Sequence, residues 1–152
     1  MKKEFLLIIF LILSLLITSI IIFNYYWGGS SQVCFKKGCF YVELAKTAEE
    51  RSRGLMFRES LELNKGMLFM FEKEGNYSFW MRDTPIPLDI IWIDKNKEIV
   101  FIKRDFQPCE KELPCLPADP GKNAKYVLEV NGGIAEKIGL GIGDEATIKA
   151  LK

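Results

Sequence analysis

The sequence predicts a mainly β domain, a compact antiparallel β-sandwich or barrel-like fold with one or two short helices, preceded by one N-terminal transmembrane helix. Three observations lead to this prediction. Several short strand patterns are separated by turn signals at intervals of about 8 to 15 residues. The long helical crossovers that a parallel sheet requires are missing. An apolar run of 19 residues without charge stands near the N-terminus.

The apolar run, residues 5–23, has the length of a membrane span. At about 1.5 Å per residue it would extend roughly 28 Å, close to the thickness of a bilayer core. Lys2 and Lys3 precede the run, and nothing charged follows it until Lys36, so the positive-inside rule places the N-terminus in the cytoplasm and the rest of the chain outside. Residues 25–27, Tyr-Tyr-Trp, suit the membrane interface.

A cleaved secretory signal is the alternative interpretation of this segment. Its apolar region is usually about 7 to 15 residues and ends in an A-x-A-like site. The run here is longer and no such site follows, which favours an uncleaved signal-anchor. We therefore predict a single-pass cell-membrane protein in which residues 1–27 hold the cytoplasmic tip, the anchor and the aromatic interface, residues 28–32 form a tether, and residues 33–152 form the exported domain.

Charge and composition exclude several classes of function. Lys and Arg number 21 against 20 Asp and Glu, so no basic surface for nucleic acid is indicated. The chain contains no His, which excludes catalysis by Ser-His-Asp or Cys-His groups and His-based zinc hydrolysis. The glycines of residues 139–143 lack the strand-to-helix junction of a nucleotide site. No nucleic-acid partner and no cofactor are predicted.

The four cysteines form two local pairs, Cys34 with Cys39 and Cys109 with Cys115. In an oxidising compartment, such pairs predict two disulfides. A four-cysteine zinc site and free thiols are the alternatives, although the second spacing is wide for a structural zinc site. The sequence alone leaves the connectivity open.

The strand predictions rest on apolar alternation or short apolar runs. They cover residues 40–45, 67–71, 88–93, 98–106, 126–130 and 146–151. Between the first two, Thr47 and Glu50 match a capping box, which predicts a helix of about two turns that ends near Gly54. Residues 134–138 suggest a helical turn, and residues 107–123, with four prolines and two cysteines, a long irregular loop.

Residues 79–89 read Phe-Trp-Met-Arg-Asp-Thr-Pro-Ile-Pro-Leu-Asp. Each proline fixes its own φ near −65° and disfavours a helical conformation in the residue before it, so Thr84 and Ile86 are held extended. The segment is predicted to be a stiff corner that presents its polar groups in a reproducible geometry.

Several ordered stretches resemble a bacterial and archaeal family known as domain of unknown function 192. They are Val-Glu-Leu-Ala at residues 42–45, Arg-Gly-Leu-Met-Phe-Arg at 53–58, Gly-Met-Leu-Phe at 66–69, the corner with its continuation at 79–91, Tyr-Val-Leu-Glu-Val-Asn-Gly-Gly at 126–133 and Gly-Ile-Gly-Asp at 141–144. The resemblance implies a compact, mainly β, often exported domain whose activity is not established. Many members have Asn where this chain has Asp83, and the anchor and the cysteines lie outside the resemblance.

The candidate ligand-binding residues are polar or aromatic side chains within these stretches. They are Glu43, Arg53, Arg58, Trp80, Met81, Asp83, Thr84, Asp89 and Glu129. In one interpretation they are structural: Arg53 or Arg58 pairs with Asp83, Asp89 or Glu129, and Thr84 caps the corner. In the other, they form a shallow cleft, floored by Trp80 and Met81, for a sugar, a peptide or a small carboxylic acid. Both interpretations predict that the two arginines and the two aspartates converge beside Trp80.

The predicted function is therefore that of a membrane-anchored extracytoplasmic domain that binds a small ligand or an envelope partner. A structural or assembly accessory role without a ligand pocket is the first alternative. A hydrolase that uses Asp83 and Asp89 as a carboxylate pair is the second. A calcium site from Asp83, Asp89 and Glu129 has suitable oxygen ligands but no EF-hand spacing, so neither a metal nor a catalytic residue is assigned.

Overall fold

The computed structural model of the chain describes residues 9–19, 30–109 and 114–151. Residues 9–19 are helical and are called α1. Within the described ranges, no helix combines the length and the apolar character needed to cross a membrane. The remainder of the predicted anchor, the predicted aromatic interface and the first residues of the tether lie outside the described residues, and so does the stretch 110–113 of the long loop.

Residues 31–150 form one compact unit, and α1 belongs to a separate one. Its described residues form seven strands and two short helices. In chain order they are β1 (Gln32–Phe35), β2 (Gly38–Ala45), α2 (Ala48–Arg53), β3 (Lys65–Gly75), β4 (Leu88–Ile93), β5 (Ile99–Phe106), β6 (Ala124–Asn131), α3 (Ile134–Lys137) and β7 (Thr147–Lys149). Because β1 already begins at Gln32, a fragment that keeps this strand must start at or before Gln32.

The strands form one curled, half-barrel sheet in the order β5-β4-β6-β3-β2-β1-β7. The mainly β prediction is confirmed, but the sandwich alternative is wrong, because the seven strands belong to a single sheet. The antiparallel prediction is also wrong for one pair, β2 and β3, which run parallel. Parallel neighbours need a crossover, and the segment that contains α2 supplies it. The capping-box helix was predicted, but its role as a crossover was not.

Both faces of the sheet are covered by apolar side chains. In β3, Leu68 packs on one face while Met67 and Phe69 pack on the other. All six residues of β4 are buried, and Ile91 and Trp92 belong to opposite cores. Burial on two faces explains why these strands read in the sequence as continuous apolar runs rather than as alternating ones.

Local signals in the sequence account for α2 and the first hairpin. Thr47 Oγ1 accepts a hydrogen bond from Glu50 N, and the Glu50 carboxylate accepts one from Thr47 N, which completes the predicted capping box. Cys34 and Cys39 are directly opposite each other in the β1–β2 hairpin and form a disulfide. The second predicted disulfide, Cys109–Cys115, is also present.

Candidate functional site

A cavity of about 340 Å³ opens on one face of the sheet, between the end of α2 and the segment that enters the proline corner. We call it the Glu129 cavity. The residues that line it are Ala48, Arg51, Ser52, Arg53, Gly54, Leu55, Met56, Phe69, Phe71, Ser78, Phe79, Trp80, Arg82, Thr84 and Glu129. They come from α2, β3, β6 and the corner, so the cavity is assembled from segments far apart in the chain.

Glu129 is the one carboxylic acid among the described residues that line this cavity. It lies in β6 between Met67 of β3 and Ile90 of β4, in the middle of the sheet. The residue is 4% exposed, and its Oε2 atom has no hydrogen-bond partner among the described residues. Burial raises the pKa of Glu129 from 4.5 to about 8. At neutral pH the group is therefore mainly protonated in the empty cavity.

Gly54 brings the backbone close to this carboxyl group. Its φ of 49° and ψ of −134° form a conformation that glycine adopts readily and other residues rarely do. A Cβ atom at this position would lie 3.2 Å from Cζ of Phe69 and 3.8 Å from Oε2 of Glu129. A larger residue would therefore be strained and would also crowd the floor of the cavity.

Three arginines contribute to the cavity wall. The Arg51 guanidinium donates to the carbonyl oxygens of Lys46 and, at 3.1 Å, Met70. The Arg82 guanidinium lies 4.5 Å from the centroid of the exposed Trp80 ring. Arg53 is exposed at the end of α2. None of the ion pairs found among the described residues joins these guanidinium groups to Glu129.

Aromatic rings form the apolar part of the wall. The rings of Phe69 and Phe79 meet edge to face with centroids 4.8 Å apart, and Phe79 meets Trp92 in the same way at 5.7 Å. Trp92 is fully buried, so this set of rings is anchored in the core. Trp80, in contrast, is 44% exposed and offers a ring face to solvent. A ligand in the cavity would meet rings that are already held in place.

A backbone hydrogen bond joins the proline corner to the segment after α2, and a second one lies within the corner. Phe57 N donates to the carbonyl oxygen of Asp83 at 2.7 Å, and Thr84 N donates to that of Met81 at 3.2 Å. Asp83 has a φ of 51°, a conformation that Asp and Asn tolerate better than other non-glycine residues.

The predicted pairing of Arg58 with Asp83, Asp89 or Glu129 is wrong. Arg58 forms a two-point salt bridge with Glu43, with both N–O distances at 2.6 Å. The hydrogen bonds from Arg58 hold the pKa of Glu43 below its usual value. The two side chains are 35% and 56% exposed, so this pair lies at the surface rather than in the core.

Asp89 lies on the opposite face of the sheet from Glu129, and its carboxylate is already occupied. It accepts hydrogen bonds from the backbone N–H groups of Asp105, Gly133 and Ala135 at 2.7, 3.0 and 2.6 Å. It thus joins the end of β5 to the start of α3. The predicted convergence of Asp89 with the arginines beside Trp80 is wrong, and Asp89 does not line the Glu129 cavity.

The other candidates divide between wall and core. Arg53, Trp80, Thr84 and Glu129 line the cavity. Met81 is 1% exposed and packs in the core, so it cannot form the predicted floor, which Glu129 and Phe69 form instead. Arg51, Gly54, Phe69 and Arg82 line the cavity but were not predicted as site residues. Gly54, Phe69 and Arg82 do fall inside recognised stretches, at 53–58, 66–69 and 79–91, which was the signal available for them.

A second open cavity, of about 490 Å³, lies on the other side of the Arg53–Met56 segment. Glu43 and Arg58 line it, and each already satisfies the other. Although this second cavity is larger, none of the described residues that line it is a buried polar group without a partner. The Glu129 cavity is therefore the stronger candidate for a binding site.

The fold and the cavity define a small β domain with one buried, unpaired carboxyl group beneath a rim of arginines and aromatic rings. The chain belongs to the DUF192 family, described as an uncharacterized ACR, whose model matches residues 32–148. It is 30% identical over 106 residues to a UPF0127 protein of Thermococcus sibiricus, a match that covers 68% of this chain and 63% of that protein. The chain thus spans less than two thirds of that relative.

Two crystal structures share the fold. A protein of unknown function from Novosphingobium aromaticivorans is 35% identical with a TM-score of 0.68, and the match covers 78% of this chain and 83% of that one. A protein from Sinorhizobium meliloti, described as a candidate transcription regulator, is 29% identical with a TM-score of 0.69, and the match covers 78% and 91% of the two chains.

Proposed function

We propose that the β domain binds a small ligand with an anionic group in the Glu129 cavity, and that it does so outside the cytoplasm, anchored by one N-terminal membrane helix. The cavity would hold the ligand between the carboxyl group at its floor and the guanidinium groups at its rim.

The observation that carries this proposal is the unpaired carboxyl group of Glu129 in an open cavity. A buried polar atom without a hydrogen bond costs on the order of 1 to 3 kcal/mol, and proteins keep such atoms where a ligand or water completes them. The arginines of the rim attract anions, and guanidinium groups bind carboxylates in a two-point geometry. The rings beside them supply apolar contact.

A hydrolase that uses a carboxylate pair receives less support. Such an enzyme needs two acidic groups on either side of the bond that is cleaved. Glu129 has no acidic partner among the described lining residues, and the carboxylate of Asp89 accepts three backbone hydrogen bonds on the other face. Binding therefore explains the cavity with fewer groups than hydrolysis would require.

The extracytoplasmic location is supported by the charge-free run of 19 residues behind two lysines and by the two disulfides. Disulfides persist mainly in oxidising compartments. A reporter enzyme fused after Lys152 tests this part. We expect activity of a reporter that works only outside the cytoplasm; activity of a cytoplasm-only reporter would contradict the proposal.

A thermal-shift screen tests the binding part. The full-length protein is screened against organic acids, amino acids, sugars, short peptides and divalent ions, since a ligand that binds only the folded state raises the melting temperature. We expect an organic anion to stabilise the wild type, and Glu129→Gln to change that response.

The exposed Glu136 supplies a matched control, because Glu136→Gln makes the same chemical change away from the cavity. This variant should respond as the wild type does. If no compound of the screen shifts the melting temperature, the accessory role without a ligand pocket becomes the better account.

A further inference from the structure

The Glu129 cavity keeps its acidic and basic groups apart. The carboxyl group is at the floor and 4% exposed, whereas Arg53 and Arg82 are exposed at the mouth. Burial alone accounts for the raised pKa of Glu129, so no guanidinium group compensates its charge. A cation that reached the floor would find an unpaired acid there, and an anion would find its partners only near the mouth.

The wall between floor and mouth suits an ammonium group as well as an apolar body. Phe69, Phe71, Phe79 and Trp80 all line the cavity. Aromatic faces attract cations, and two rings here are already near guanidinium groups: Trp80 lies 4.5 Å from Arg82, and Phe71 lies 5.2 Å from Arg51. Rings of this wall can therefore contact a cation.

A ligand with a single charged group would pair with either Glu129 or the arginines of the cavity, but not with both. A simple carboxylate would bind the arginines and leave Oε2 of Glu129 without a cationic partner. A simple amine would pair with Glu129 but would also meet three guanidinium groups of the same sign. Only a molecule that carries both an ammonium group and a carboxylate satisfies both.

We propose that the ligand of the Glu129 cavity is a free α-amino acid, with its ammonium group on the Glu129 carboxylate and its carboxylate on the arginines of the rim. This inference rests on the proposed function and specifies its ligand. The volume of about 340 Å³ lies near the lower end of the range for ligand sites, as a molecule of amino-acid size requires.

Matched sets of compounds test the assignment with the full-length protein. One set is L-phenylalanine, 3-phenylpropionate and phenethylamine, which share one apolar body. The other is L-leucine, 4-methylpentanoate and isopentylamine. In at least one set we expect the amino acid to bind about tenfold or more tightly than either analogue by calorimetry, because each analogue loses one charged contact.

Variants assign each end of the ligand to its partner. Glu129→Gln should remove the preference for the amino acid over the carboxylate analogue. Arg82→Ala should instead reduce the preference for the amino acid over the amine. Glu136→Gln should leave both preferences unchanged. Equal binding of an amino acid and its carboxylate analogue by the wild type in both sets would overturn the assignment.

Proton release gives a second readout that packing changes alone would not produce. Among the described residues that line the cavity with Glu129, the charged ones are Arg51 and Arg53 of α2 and Arg82 of the corner, while its strand neighbours Met67 and Ile90 are apolar. Contact with an ammonium group ionises the buried acid, so binding of the amino acid at pH 6 should release about one proton per molecule bound. Calorimetry in two buffers of different ionisation enthalpy measures this proton release.

The outcomes separate this inference from the proposed function. If 3-phenylpropionate binds as tightly as phenylalanine and no proton is released, Glu129 acts as a neutral hydrogen-bond donor to an anion; the amino-acid assignment then fails and the binding site stands. If neither these compounds nor the wider screen stabilises the protein, both fail. Proton release that persists in Glu129→Gln would also overturn the assignment.

Discussion

The buried carboxyl group of Glu129 makes the stability of the β domain depend on pH. In the folded protein its pKa is raised from 4.5 to about 8. Between these two values the unfolded chain has released the proton while the folded chain still holds it. The free energy of unfolding therefore decreases as the pH rises from about 5 to about 8, and this contribution is constant above the folded pKa. At about 1.4 kcal/mol per pKa unit, the loss is at most on the order of 5 kcal/mol, and water in the cavity reduces it.

Urea unfolding between pH 5 and 9 measures this effect in the wild type, in Glu129→Gln and in the exposed control Glu136→Gln. We expect the decrease in the wild type and the control and a nearly flat profile in Glu129→Gln. Carboxyl groups with a lowered pKa affect the free energy of unfolding in a different pH range. They stabilise the fold above their unfolded pKa and lose that effect as the pH falls below about 4. These groups are Glu43, Glu50, Asp119 and Asp144. A wild-type profile that is flat between pH 5 and 8 would refute the reasoning.

Three further changes test the fold around the site, each measured by urea unfolding at pH 7. Asp89→Ala should destabilise the domain by about 3 to 5 kcal/mol, because three backbone N–H groups lose their acceptor. Asp89→Asn should destabilise it clearly less. Equal losses in the two variants would contradict the role of Asp89 as an acceptor for these groups. A double-mutant cycle between Arg58 and Glu43 should give a coupling of no more than about 1 kcal/mol, since the pair is exposed; about 3 kcal/mol would indicate a buried pair. Gly66→Ala should lower the free energy of unfolding by more than about 2 kcal/mol, because the new Cβ would lie 2.4 Å from the carbonyl oxygen of Glu129. Gly141→Ala is the control and should be nearly neutral, because open space surrounds that position. Similar losses of stability in both variants would refute the steric argument.

Most of the strands were predictable because their signals are local. The apolar run of residues 88–93 coincides with β4, and the pattern of 98–106 differs from β5 by one residue. The capping box of Thr47 likewise placed α2 and its end near Gly54. Side-chain alternation and caps act over a few residues, so the linear sequence contains them in full.

The partners of the charged residues were not predictable in the same way. Arg58 meets Glu43 rather than an aspartate of the corner. Asp89 meets backbone amides that lie 16 to 46 positions further along the chain. Such contacts depend on which strands are neighbours, and the parallel pairing of β2 with β3 was not foreseen. Without the strand order, an arginine near several carboxylates in the sequence has no unique partner.

Strand order also explains why two glutamates in one row of the sheet differ so strongly. Glu43, Met67, Glu129 and Ile90 are register partners on successive strands. Glu43, in β2, pairs with Arg58, and this contact lowers its pKa. Glu129, in β6, lies between apolar neighbours beneath the end of α2, and burial raises its pKa. An arginine that satisfied Glu129 would remove the cost of its burial, yet the guanidinium groups nearest to the cavity bind carbonyl oxygens or stack on rings. A fold that needed this acid only for stability would gain by pairing it or by replacing it with an apolar residue. The proposed ligand would supply the partner that Oε2 of Glu129 lacks among the described residues.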